Sequence, residues 1–160
     1  MSIETNTVSF RSAATTDLAT LIVIEDKAHH YPWPDATLHW AITQKNSFTR
    51  ILKYHDHIIG FAIFECILDE ASLLNIAIDP AYQHQGFGRR LLTDSIRALD
   101  TSIERIILEV RTSNHPARKL YQAMGFTELA IRTDYYPTFT GREDAHVLEL
   151  KRSTIKDLTH

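Results

Sequence analysis

The chain has 160 residues, of which 44% are hydrophobic and 23% are charged, and this composition is typical of a globular protein and excludes a disordered one. Its 17 basic and 20 acidic residues give a formal net charge of −3, which provides no broadly basic surface for nucleic acid or for an anionic membrane. The single cysteine, Cys66, excludes an intramolecular disulfide and fits a reducing compartment. No apolar run approaches the ~20 residues of a membrane span, and the polar start lacks the features of a secretory signal. We therefore expect a cytoplasmic protein with no direct nucleic-acid or membrane partner.

The hydrophobic pattern predicts strands and helices in a mixed order. A short strand over 8–11 precedes a helix that Thr16 or Asp17 is expected to cap, and a second helix over 35–44 follows the break at residues 31–34. The later elements are predicted, in order, as three strands, a helix, a strand, a helix and two strands, over residues 48–54, 58–68, 72–78, 88–99, 106–111, 116–124, 127–132 and 145–150. This order predicts an α/β domain. With no repeat or linker, we expect one domain over 1–160, with a core at about 8–150 and a polar tail over 151–160.

A loop with two glycines joins the predicted strand 72–78 to the following helix. The first turn of a helix presents unpaired N–H groups and the positive end of the helix dipole, which together favour an anion. Gly86 and Gly88 carry no side chain, so the backbone can approach that anion closely. The pattern is neither a Walker loop nor a Rossmann fingerprint, and from these residues alone a plain tight turn before a helix is an equal alternative.

The strand 106–111 contains a candidate base. Ile107, Glu109 and Arg111 share one face of this strand because side chains alternate. A carboxylate inside such an apolar run is expected to be desolvated, which suits a proton acceptor. The alternative from the run alone is a glutamate paired with Arg111 or Arg105.

The following helix contains a candidate acid. Leu120 and Met124 lie four residues apart and are expected to face the core, with Tyr121 offset toward one edge of that face. The hydroxyl of Tyr121 is a candidate proton donor. The alternative for a lone tyrosine is a packed ring with a hydrogen-bonded hydroxyl.

Three stretches of the chain together carry a family resemblance. Gln83-x-x-Gly86-x-Gly88, preceded by residues 75–80, resembles the acetyl-CoA signature of the GNAT superfamily of N-acetyltransferases. Residues 108–114 and 117–126 resemble the second half of the GNAT core, most closely that of the RimI branch, the ribosomal-protein-alanine N-acetyltransferases. The segment 132–145 resembles the closing hairpin of the same branch, and the resemblance covers about 8–150.

The resemblance implies the fold and the acetyl donor. The expected fold is the α/β GNAT fold, a mixed, mostly antiparallel sheet flanked by about four helices. The expected donor is acetyl-CoA. Its pantetheine arm is expected on Ile76, Ala77, Ile78 and Asn114, and its pyrophosphate on His84, Gln85, Gly86, Phe87, Gly88 and Arg89. The nine histidines form no HExxH motif and no Cys/His set, so no metal is expected.

The resemblance also implies roles in the reaction. Glu109 is then the proton acceptor and Tyr121 the proton donor, and the acceptor is the N-terminal alanine of a small-subunit ribosomal protein. The residues expected to meet that peptide are Tyr135 and Tyr136, as flat walls of a groove, and Glu143 and Asp144, as attractors of a cationic peptide. Two alternatives stay open: a GNAT enzyme that acetylates lysine side chains or small amines, and a non-catalytic acyl-CoA-binding module.

Overall fold

The computed structural model describes residues 7–155, so the start of the chain and residues 156–160 of the predicted polar tail lie outside the described residues. Seven strands and four α-helices occur in this part of the chain, in the predicted order. The elements are β1 (Val8–Ser12), α1 (Leu18–Ala28), α2 (Asp35–Thr43), β2 (Ser47–Tyr54), β3 (His57–Ile67), β4 (Glu70–Ile78), α3 (Phe87–Ala98), β5 (Arg105–Arg111), α4 (His115–Met124), β6 (Thr127–Pro137) and β7 (Arg142–Lys151).

The strands form a sheet in the order β1-β2-β3-β4-β5-β7-β6. The pairs β1–β2, β2–β3, β5–β7 and β6–β7 are antiparallel, whereas β4 and β5 are parallel. This sheet confirms the predicted mixed, mostly antiparallel α/β architecture.

The residues group into two compact units. Residues 7–65 and Asn75–Leu99 form the first unit, which holds β1, β2, α1 to α3, β3 as far as Glu65 and the last residues of β4. Its core is apolar and comes from both helices and strands; the largest fully buried side chains are Leu21, Leu38, Ile51, Leu52, Ile59, Phe61, Ile63, Phe64, Leu91, Leu92 and Ile96. Cys66–Leu74 and residues 100–155 form the second unit. The single-domain organisation stays a prediction.

Within the second unit, β5 is the strand that carries the candidate base. It pairs in parallel with β4 over Glu70–Leu73, and in antiparallel with β7 from Arg105 to Arg111. Side chains alternate along it as predicted, because Ile106, Leu108 and Val110 are buried while the other face is half-exposed.

Three sequence-based expectations about local structure are wrong. Both closing strands extend beyond the predicted bounds of 127–132 and 145–150, because β6 continues to Pro137 and β7 begins at Arg142, and the segment 132–145 is a hairpin as the resemblance implies. Tyr121 is the buried residue of α4, whereas Leu120 and Met124 are half-buried, because the Tyr121 ring packs on Phe126 just past the helix end, at 5.5 Å between centroids. Asp17 precedes α1 without capping it, because its carboxylate instead accepts from Arg11 and from the backbone N–H of Ala14.

Candidate active site

The first unit contains the strand end predicted to bind the pantetheine arm. Ala77 and Ile78 are buried and Ile76 is half-buried. The carbonyl of Ile78 accepts a hydrogen bond of 2.8 Å from the Gln83 side-chain amide, which ties the loop back to the strand that precedes it. The backbone N–H of Asp79 donates to the carbonyl of Ile59 at 2.7 Å. The backbone of β4 is therefore fixed where it enters the loop.

Gly60 of β3 lets the neighbouring strand β4 approach closely. A Cβ on this residue would lie 2.6 Å from Ile78 Cδ1 and 2.9 Å from the carbonyl oxygen of Ala77. Gly60 also follows a register shift in β3, where Leu52 pairs with Gly60 and Lys53 with Ile58. The close packing of β4 on β3 thus depends on the missing side chain.

The glycine loop has the backbone geometry of an anion site. Gly86 lies just before α3 with φ of 83°, a left-handed conformation that favours glycine. The first backbone hydrogen bond of α3 runs from the N–H of Arg90 to the carbonyl of Gly86. The backbone N–H groups of residues 87–89 therefore come before the i to i−4 hydrogen bonds of the helix. These amides and the helix dipole favour a phosphate.

The side chains of this loop divide into one anchor and several exposed groups. Phe87 is buried and packs against Tyr54 and Tyr82, with ring centroids 5.6 and 6.4 Å apart. The other predicted pyrophosphate-binding residues are exposed or half-exposed: His84, Gln85, Gly86, Gly88 and Arg89. The structure thus brings the residues predicted for the donor, apart from Asn114, together in the first unit.

A buried carboxylate lies next to the same strand. Glu25 of α1 is 1% exposed, and its two oxygens accept hydrogen bonds of 2.9 Å from the Asn75 side-chain amide and from the backbone N–H of Trp33. His29 Nε2 lies 3.0 Å from Asn75 Oδ1 and 3.5 Å from Glu25. Asn75 directly precedes the predicted donor-binding residues, so this network fixes the start of that segment.

In the second unit, the candidate base is less buried than the sequence predicts. The side chain of Glu109 is 31% exposed, because it lies on the half-exposed face of β5. Its Oε1 accepts a hydrogen bond of 2.9 Å from Nη1 of Arg132 on β6. The carboxylate therefore has a cationic partner, although a different one from Arg105 or Arg111.

The candidate acid is enclosed. Tyr121 is 4% exposed, and burial raises the pKa of its hydroxyl, with a smaller contribution from Tyr136. The hydroxyl is therefore protonated at neutral pH, as in an ordinary tyrosine, and its role as proton donor stays a prediction. Tyr136 lies in the same unit, where burial, followed by the charge of Glu109, raises its pKa to about 12.

Asn114 lies at the start of α4. Its side-chain oxygen accepts a hydrogen bond of 3.3 Å from the backbone N–H of Ala117, which is the geometry of a helix N-cap. This contact gives Asn114 a structural role, and its predicted contact with the pantetheine arm stays a prediction.

Arginines cover the two tyrosines predicted to meet the peptide. Arg132 lies over the Tyr135 ring at 3.9 Å and Arg111 lies over the Tyr136 ring at 4.4 Å, both measured from the guanidinium carbon to the ring centroid. Tyr135 is 37% exposed and Tyr136 is half-buried. On this hairpin, each of the two tyrosine rings therefore has an arginine side chain lying over its face.

The two acidic residues predicted to attract the peptide have partners within the hairpin region. Glu143 Oε1 accepts from the hydroxyl and the backbone N–H of Ser113, at 2.8 and 3.2 Å. Asp144 accepts from the backbone N–H of Asp134 at 2.9 Å, and Asp134 has φ of 51°. Both carboxylates thus stabilise the local backbone, and their role in peptide binding stays a prediction.

Sequence reasoning missed several residues of these regions. Arg132 was part of a recognised segment, but its pairing with Glu109 crosses β7 and leaves no local signal. A glycine within the apolar run of β3 was the available signal for Gly60. A glutamate within the apolar stripe of α1 was the signal for Glu25.

Two features are absent from the described residues, 7–155. They contain no group of three or more His, Cys, Asp or Glu side chains that could hold a metal ion. No helix in this part of the chain is long and apolar enough to cross a membrane.

Comparison with known proteins identifies the family. The model of the Acetyltransferase (GNAT) family matches residues 14–126, and the chain belongs to this family. A [ribosomal protein bS18]-alanine N-acetyltransferase from Escherichia coli is 44% identical over 147 residues, which cover 91% of this chain and 97% of the relative. A putative enzyme of the same description from Bacillus subtilis is 31% identical and covers 82% of this chain and 87% of its own length.

The fold comparison agrees. The crystal structure of the ribosomal-protein-alanine N-acetyltransferase from Escherichia coli has a TM-score of 0.85 at 41% identity, covering 90% of this chain and 93% of that one. The predicted GNAT fold and the predicted resemblance to the RimI branch are therefore confirmed.

Proposed function

We propose that this chain transfers the acetyl group of acetyl-CoA to the N-terminal alanine of a small-subunit ribosomal protein. The observation that carries the proposal is the 44% identity, over 91% of the chain, to an enzyme described as acting on that type of substrate. The glycine loop before α3 supports a phosphate-containing donor, and Glu109 and Tyr121 supply a proton acceptor and a proton donor, which a pure binding module does not need.

In the proposed reaction the donor binds to the first unit. The amides at the start of α3 hold the pyrophosphate, and the backbone at residues 76–78 pairs with the pantetheine arm. Backbone N–H groups near these residues polarise the thioester carbonyl, as preorganised donors do in oxyanion holes. The fixed backbone around Gly60 and Gln83 supports this role, because preorganised donors need no rearrangement during the reaction.

Glu109 and Tyr121 handle the two protons. Glu109 takes a proton from the α-ammonium group, directly or through water, and the neutral nitrogen attacks the thioester carbon. The new C–N bond forms, the C–S bond breaks, and Tyr121 protonates the leaving thiolate. The attack is direct and forms no acyl-enzyme.

Mass spectrometry of two peptides incubated with enzyme and acetyl-CoA tests the substrate. One peptide begins with a free alanine followed by the next residues of the ribosomal target, and the other has the same sequence with a blocked N-terminus and an internal lysine. We expect acetylation of the free alanine alone. Transfer to lysine alone would contradict the substrate and keep the family, and transfer to neither would favour small amines or a binding module.

Tyr121→Phe tests the proton donor. The substitution keeps the ring that packs on Phe126 and removes the hydroxyl, so we expect kcat to fall by about 10²-fold with little change in the melting temperature. Single-turnover kinetics is the measurement, because it isolates the chemical step. Wild-type single-turnover rates in this variant would show that another group protonates the thiolate.

A further inference from the structure

The proposed base carries a resident cation in the free protein. Arg132 donates to Glu109 Oε1 at 2.9 Å, and the two side chains are 50% and 31% exposed. The carboxylate that must receive the substrate's ammonium proton is therefore occupied by a guanidinium.

The register of the sheet explains how Arg132 reaches across an intervening strand. Arg111 of β5 and Arg132 of β6 both pair with Ala145 of β7, so the three residues form one row across the sheet. Paired residues point to the same face, and Glu109 lies two residues from Arg111 on that face. Ala145, which lies between the two arginines in this row, carries only a methyl group.

The hairpin offers the guanidinium a second contact. Between the pairs Arg132–Ala145 and Tyr136–Glu143, β6 advances four residues while β7 advances two. This bulge, held by the bond from Asp134 to Asp144, places the Tyr135 ring 3.9 Å from the guanidinium carbon. Arg132 thus contacts both a carboxylate and an aromatic face.

Both contacts are weak enough to exchange. A solvent-exposed ion pair and an exposed cation–π contact each contribute little free energy, because water competes for both partners. Loss of the ion pair alone leaves the guanidinium on the ring, so the ordering of the side chain is retained. A competing cation can therefore displace Arg132 from Glu109 at small cost.

The substrate brings such a cation. An α-ammonium group and a guanidinium both bind a carboxylate, but only the ammonium can release a proton near neutral pH. We propose that Arg132 is a positioning residue, which holds the Glu109 carboxylate in the free enzyme and stays on Tyr135 when the substrate's α-ammonium group takes its place at the carboxylate. This inference rests on the proposed role of Glu109 as the base.

Peptide binding without turnover tests the proposal. Calorimetry in the presence of CoA compares the free-alanine peptide with its N-terminally acetylated product, for the wild type, Arg132→Gln, Arg132→Met and Arg132→Lys. Removal of the competing cation should strengthen binding of the free-alanine peptide about two- to fivefold, the equivalent of one exposed ion pair. The acetylated peptide should bind unchanged, and Arg132→Lys should restore wild-type affinity for both.

Glu109→Gln provides the matched background. In a protein that carries Glu109→Gln, the added substitution Arg132→Gln should no longer strengthen binding of the free-alanine peptide. Unchanged or weaker binding of the free-alanine peptide to the Arg132→Gln and Arg132→Met variants would overturn the proposal, and so would equal strengthening for both peptides. Arg132→Met keeps the apolar part of the side chain and allows the same affinity measurement if Arg132→Gln folds poorly. Failure of the base role has a separate signature, which is full acetylation activity in Glu109→Gln.

Discussion

Two glutamates show how differently the two units hold a carboxylate. Glu25 in the first unit is 1% exposed and accepts hydrogen bonds from neutral donors, an amide side chain and a backbone N–H. Glu109 in the second unit is 31% exposed and pairs with a charged, half-exposed arginine. One carboxylate is enclosed by fixed groups, and the other is bound by an exposed side chain at the surface.

The difference matches the two tasks in the proposed reaction. A buried polar group that loses its partner costs about 1–3 kcal/mol, so the Glu25 network is fixed and keeps the start of the donor-binding segment in place. An exposed ion pair is worth about 0.2–1 kcal/mol, so Glu109 can exchange its partner. Donor binding requires a preorganised backbone, whereas proton transfer requires a carboxylate that accepts a new partner.

Glu109→Gln should give the largest effect. We expect kcat/KM to fall by about 10²- to 10⁴-fold, because the general base is lost while the shape of the side chain is kept. The melting temperature should change little, since the pair with Arg132 is partly exposed. Steady-state acetylation assays across neutral pH measure the change, with Glu104→Gln, an exposed glutamate just before β5, as the control. Full activity in Glu109→Gln would remove Glu109 from the mechanism.

Gly60→Ala probes the fixed backbone of the first unit. The added Cβ would meet the Ala77 carbonyl oxygen and the end of Ile78 and displace β4, at a cost of about 1–3 kcal/mol. We also expect weaker binding of acetyl-CoA, because the displaced backbone is the segment proposed to hold the pantetheine arm. Thermal melting and calorimetry with CoA measure both effects, and His57→Ala at the exposed start of β3 is the control. Unchanged CoA affinity in a destabilised variant would separate this backbone from donor binding.

Glu25→Gln probes the buried network directly. The new amide places N–H groups against a neighbouring donor, so one hydrogen bond is lost and the free energy of unfolding should fall by about 1–3 kcal/mol. Urea denaturation is the measurement. Asp26→Asn, an exposed carboxylate one residue further along α1, is the matched control and should leave the midpoint unchanged. Equal midpoints for both variants would show that Glu25 is not a fixed structural element.

Tyr136→Phe gives the smallest effect near neutral pH and a larger one in alkali. The pKa of Tyr136 is raised from 10.0 to about 12, so between these values the folded protein keeps a proton that the unfolded chain loses. This contribution to stability is complete below pH 10 and is lost as the pH rises toward 12. The wild type should therefore lose stability more steeply than Tyr136→Phe in this window. Thermal melts over the same pH range measure the slopes, and parallel slopes would contradict the shifted pKa.

Local patterns predicted much of the fold and part of the candidate site. Period-two alternation placed Glu109 on its correct face of β5, and the glycine loop predicted the start of α3. The hairpin was underpredicted because its strands continue through an irregular bulge at Asp134, which interrupts the alternation. Tyr121 was misplaced because its ring packs on Phe126, which lies beyond the end of α4. The periodicity within a helix does not predict such a contact.

Non-local contacts account for the residues that were missed. Arg132 meets Glu109 across an intervening strand, at a sequence separation of 23, and Asn75 meets Glu25 at a separation of 50. Neither partner can be read from a window of the sequence, since both pairings depend on strand order and register. The family resemblance predicted the types of residue in the reaction, and the structure adds the groups that hold them.

The bulge in β6 has a second consequence, for contacts between molecules. β6 lies at the end of the strand order, so within the part of the chain that the structure describes no further strand pairs along its outer side. A long, regular edge is a template for the strand of another chain, and charges and irregular backbone reduce that hazard. The two additional residues, the charges of Arg132 and Asp134, and the proline at position 137 interrupt this edge. The irregularity that brings an aromatic ring to Arg132 therefore also opposes edge-to-edge aggregation.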